Sequence, residues 1–180
     1  MPKPTFDDFS RLFPYPGGIA KVESISGDLV PPPYGELLVH RFHMTVTVES
    51  YFQDRVNVSV MESRRSETEY ARAIFLTLSQ TGRVVQFGTV RIELSMLSTE
   101  VSQAILSERT PLGRVLINHG VLTTIEPVTY LKVAIGTKMA ERFGCAFPAT
   151  TYGRIGEISA TGHPAIQVLE ILTPGLDNHK

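Results

Sequence analysis

Arg72 stands inside an apolar run, Tyr70-Ala71-Arg72-Ala73-Ile74-Phe75-Leu76. A guanidinium taken out of water is costly unless an anion meets it, and its planar fork matches a carboxylate. The chemistry on offer is therefore capture of an acid group. An internal salt bridge, or an arginine on the exposed side of a half-buried strand, would satisfy the same pattern. Glu170 has a similar setting, with four apolar neighbours in Val168-Leu169-Glu170-Ile171-Leu172. A carboxyl so placed suits holding a hydroxyl or moving a proton. Simple alternation, with Glu170 pointing to solvent, explains it as well. Pro111-Leu112-Gly113-Arg114 reads as the head of a short helix, where unpaired N–H groups can meet an anion.

The elements that must carry these residues follow from periodicity. Val56, Val58 and Val60 alternate with polar partners, as in a half-buried strand. Further strands are expected over 70–78 and 84–94, joined by a turn at Thr81-Gly82-Arg83. Gly88 interrupts the second of these, which suggests a bulge or a close approach. Ser98 can cap a helix carrying Val101 and Ile105 inward, and Thr110-Pro111 can open another that Gly120 ends. Residues 121–135 return to strand, with Pro127 as a flaw. A turn of helix is expected at 138–142, and a terminal hairpin over 154–160 and 165–172. Residues 1–35, broken by Pro14, Pro16, Gly17, Gly18 and Pro31-Pro32-Pro33, read as an irregular arm with a short helix at 6–13. The order of elements predicts an α+β protein with a mainly antiparallel sheet.

Composition narrows the classes. With 180 residues the chain suits one domain. Its 17 basic residues are balanced by 18 acidic ones, so it carries no general nucleic-acid footprint. No apolar run approaches the ~20 residues of a membrane span, and no signal-peptide core follows Met1. The lone Cys145 cannot form an intrachain disulfide, which fits a reducing, cytoplasmic setting. It has no nearby histidine and reads as an inert thiol. His40 and His43 are three apart but lack an evident third ligand, so no metal is expected. No dinucleotide fingerprint or nucleophile elbow is present.

Taken in order, His43-Met44-Thr45, Tyr70-Ala71-Arg72, the run from Thr110-Pro111-Leu112 to Leu116, and Val168-Leu169-Glu170-Ile171-Leu172 resemble the chorismate pyruvate-lyase family, over residues 37–174. The resemblance implies a six-stranded, mainly antiparallel sheet with helices packed on one side, in a single domain over 36–176. It carries over Met44, Arg72, Leu112 and Glu170 as substrate-binding positions, Leu112 through its main chain. Arg72 and Glu170 also take catalytic roles, as anion holder and as hydroxyl or proton partner. Core packing explains a methionine at 44 equally well. Phe87-Gly88-Thr89-Val90-Arg91 aligns with a Gly-Arg segment of the family but has threonine after the glycine, so Gly88 and Arg91 enter only as further candidates. The resemblance also places a helix at 44–49, where β-branching suggests strand; the helix is the reading adopted.

The activity implied is non-hydrolytic cleavage of chorismate to 4-hydroxybenzoate and pyruvate by a carbon–oxygen lyase. Such a reaction needs positioning, neutralised carboxylates and exclusion of water, with no cofactor. Two alternatives stand beside it: a related lyase giving another hydroxybenzoate, and a non-catalytic binder of a small aromatic acid, since the same fold serves as the effector-sensing domain of certain transcription regulators. The 35 residues before the core are too few for the winged helix such regulators carry. The expected partner is a small molecule, chorismate, with no nucleic acid and no membrane, bound by a monomer or homodimer.

Overall fold

The computed structural model describes residues 2–176. Seven strands form one antiparallel sheet: β1 (Ile19–Ile25), β2 (Val56–Arg65), β3 (Glu69–Leu78), β4 (Val84–Glu93), β5 (Thr123–Ile135), β6 (Thr150–Ala160) and β7 (His163–Leu172). Their order is β1-β5-β6-β7-β4-β3-β2. Two meanders, β2-β3-β4 and β5-β6-β7, thus lie side by side, joined in the middle by the β4–β7 pair.

Alternation along each strand sorts residues between the two faces. Ala71, Ala73 and Phe75 of β3, with Phe87, Leu169 and Ile171, build the core of one face. There they meet Phe9 of α1 (Phe6–Leu12) and Met139 and Phe143 of α6 (Thr137–Phe143). The other face is lined by α2 (Tyr34–Leu38), α3 (Met44–Phe52), α4 (Thr99–Leu106) and α5 (Leu112–Asn118). These cover Tyr70, Val90, Ile166 and Val168 near one end and Ile74, Leu76 and Leu172 near the other.

The expected α+β class, antiparallel sheet and helical side layer are present. Ser98 caps α4 by accepting from the Val101 N–H at 3.3 Å, and Gly120 follows α5 at φ +61°. Pro127 is accommodated by an irregularity in the β5–β6 register between Pro127 and Thr129. Residues 44–52 are helical despite their β-branched content, because Met44, Thr45 and Val48 all turn inward. Burying Met44 and Val48 is worth about 2 kcal/mol each, more than the helix propensity lost at valine and threonine. The sheet has seven strands where six were expected. The extra one, β1, comes from the segment read as irregular: it pairs with β5 at the sheet edge, and α1 precedes it.

No helix among the described residues is long and apolar enough to cross a membrane.

Candidate functional site

Between the sheet and the α3–α5 layer lies a chamber with about 60 Å³ of free space for water centres. Its floor is a stretch of β3, β4 and β7, and its roof is the first turns of α3 and α5. The floor owes its space to Gly88: a Cβ there would stand 3.3 Å from Ile74 Cδ1 and 3.5 Å from the Leu169 carbonyl. The roof depends on Gly113, where a Cβ would meet Thr45 Oγ1 at 2.9 Å and His43 Cβ at 3.1 Å. The absence of a side chain lets the two helices start side by side. No side chain caps either of them, so their first N–H groups are left open, with Met44, Thr45, Leu112 and Gly113 all on the chamber wall.

Arg72 enters from β3 and is 1% exposed. Nη1 donates to the Ile105 carbonyl at 3.5 Å and Nη2 to the Thr110 carbonyl at 3.4 Å, both long contacts, and Nε has no partner. Among the described residues no carboxylate forms an ion pair with it. Burial holds its pKa below the ordinary value, opposed by Tyr70 and Glu108. Tyr70 donates to Glu108, and burial together with that bond pushes its phenol up to about 12.

Glu170, on β7, borders the chamber but is engaged: Arg154 Nε donates to its Oε2 at 2.6 Å. Arg154 was not anticipated. It is 1% exposed, and its remaining donors reach the carbonyls of Leu38, His40 and Phe42 at 3.1, 2.9 and 3.1 Å. It thereby ties down the link between α2 and α3. The signal was available in Gly153-Arg154-Ile155-Gly156, a charge within a strand like that of Arg72. His40 continues this network. It accepts the Phe42 N–H at Nδ1 (3.0 Å), and its Nε2 lies 2.7 Å from the Leu37 carbonyl. Burial, then the nearby Arg154 charge, hold its pKa below the usual imidazole value.

Four expected positions, Met44, Arg72, Leu112 and Glu170, converge on this chamber with Gly88. Arg91 does not. Its strand parity is opposite to that of Gly88, and it lies on the other face, paired with Glu69. The candidate role of Arg91 at the site is corrected accordingly. Arg114 is also spent elsewhere, pairing with Glu49 to fasten α5 to α3.

No family model and no curated protein sequence matches the chain. Among solved structures it is similar to the effector domain of PhnF from Mycobacterium smegmatis: TM-score 0.50, 10% identity, 73% of this chain and 88% of that one covered. The structure of PhnF from the same organism aligns at TM-score 0.49 and 10% identity, over 73% of this chain and 63% of that one. The C-terminal domain of the histidine utilization repressor from Pseudomonas syringae aligns at TM-score 0.45 and 9% identity, over 70% and 95%. The fold is the chorismate lyase-like fold in the form that such regulator domains have.

The expectation of a chorismate pyruvate-lyase, or of a related lyase, is thereby corrected. The structure matched at TM-score 0.50 is an effector domain, and the comparison does not support chorismate cleavage. Glu170, expected to move a proton or hold a hydroxyl, has one of its two oxygens taken up by Arg154.

Proposed function

We propose that this protein is a non-catalytic binder of a small aromatic acid, with Arg72 receiving the carboxylate. The observation that carries the reading is the buried Arg72 Nε without a partner, on the wall of a largely apolar chamber. An arriving carboxylate would supply the charge and acceptors that the protein withholds, and dispersion against apolar walls suits an aromatic ring. The open main-chain groups at Met44 and Leu112 would assist, while Glu170 acts through Arg154 to keep the chamber wall in place. Occupancy in turn suits a sensing role, in which the bound state is relayed to a partner; the fold shared with an effector domain supports that role.

Titration calorimetry with benzoate and 4-hydroxybenzoate tests the proposal. Binding should saturate at one site per chain, and Arg72→Met should weaken it about thirtyfold or more, the cost of removing one partner of a buried charge pair. Unchanged affinity in Arg72→Met would remove the arginine from the site.

A further inference from the structure

The chamber contains a second unsatisfied polar side chain. Gln86 on β4 is 4% exposed, borders the same space, and has its Oε1 buried without a hydrogen-bond partner. A buried amide without a partner is expensive, so two such groups on one small cavity point to a ligand with two polar ends. The sheet register sets their spacing. Arg72 pairs with Val90, Ile74 with Gly88 and Leu76 with Gln86, so the arginine and the glutamine share one face and flank the bare floor at Gly88. Four residues of β4 separate Val90 from Gln86, about 13 Å at the antiparallel rise. Two side chains rooted that far apart along the sheet can meet the opposite ends of one benzene ring, with a hydrogen bond of about 2.9 Å at each end. The lining near them includes the apolar side chains of Ile74, Leu76, Val90 and Val168, with Glu170 opposite Gly88.

We infer that Gln86 is the specificity-determining residue of the chamber, and that it reads a hydroxyl on the ring position opposite the carboxylate. The inference rests on the acid-binding reading above and adds the other end of the ligand. A carboxamide can turn either its oxygen or its NH₂ to the cavity, and a hydroxyl, which both donates and accepts, satisfies either. A ring ending in a methyl group would leave the amide buried and unpaired. Glu170, which also borders the chamber, gives one of its oxygens to Arg154.

The test is a calorimetric series of benzoate, 4-methylbenzoate and 4-hydroxybenzoate against the wild-type chain and Gln86→Leu. In the wild type, 4-hydroxybenzoate should bind about tenfold more tightly than 4-methylbenzoate. In Gln86→Leu that preference should vanish or reverse while benzoate still binds. Equal affinities in the wild type, or a hydroxyl preference that survives in Gln86→Leu, would overturn the assignment and leave the acid-binding reading standing. The wild-type series decides even if the variant does not fold. If none of the three acids binds the wild type, the acid-binding reading fails and takes this inference with it.

Discussion

Two buried arginines on the same face of the sheet have contrasting surroundings. Arg154 has an ion pair and three carbonyls around it, whereas Arg72 has two long contacts and an orphaned Nε. Stability should separate them. Arg154→Met leaves Glu170 and the carbonyls of residues 38, 40 and 42 without their donor, and should cost about 3–5 kcal/mol in urea unfolding. Arg72→Met removes a poorly compensated buried charge at similar volume, so stability should hold or rise by about 1 kcal/mol, even as acid binding is lost. A large destabilisation in Arg72→Met would make that residue a scaffold element rather than a receptor. In the sequence, Arg72 and Glu170 were conspicuous because a charge interrupted an apolar run. Gln86 was not, since an uncharged amide in Val84-Val85-Gln86-Phe87 breaks no pattern. The pairing of Glu170 with Arg154 was also hidden: it joins neighbouring strands 16 residues apart, and pairing between strands is a matter of register rather than of local composition.

At the level of elements, the α3–α5 contact and the link over residues 38–43 shape the roof. Gly113→Ala places a methyl 2.9 Å from Thr45 Oγ1; it should force the two helix starts apart, cost about 1–3 kcal/mol and weaken acid binding, both measurable on one preparation. The link should also respond to pH. His40 accepts the Phe42 N–H only while neutral, and its folded pKa is depressed. The unfolded chain therefore binds the proton more readily, so the contribution of His40 is complete above the ordinary value of 6.5 and is lost as pH falls from there toward the depressed folded value. Melting temperature should fall between pH 7.5 and 5.5, and less so in His40→Asn, whose side-chain oxygen can accept the same N–H without titrating. Most elements were legible because alternation and capping residues are local signals. Strand β1 was not: its apolar residues Ile19, Val22 and Ile25 recur every three positions, and as an edge strand it has one neighbour, β5, to hold it. Helix α3 was legible only through resemblance, its β-branched run being overridden by burial.

For the whole molecule, occupancy of a buried site should appear as global stability. At a ligand concentration a hundred times the dissociation constant, binding to the native state alone adds about 2.7 kcal/mol, which for a chain of this size raises the melting temperature by roughly 5–10 °C. The same acid should raise the melting temperature of Arg72→Met by no more than about a third as much, since a thirtyfold weaker site adds about 0.9 kcal/mol. The position of the chamber within the topology has a further consequence. Its walls are drawn from both meanders: Arg72, Gln86 and Gly88 from the first, Arg154, Val168 and Glu170 from the second. They meet only where β4 joins β7, with Gly88 opposite Glu170, a closure spanning more than eighty residues of chain. Long-range closures of this kind weigh on folding rate. The chamber is therefore a property of the joined halves, absent from each alone, and a chain that has folded one meander has not yet enclosed it.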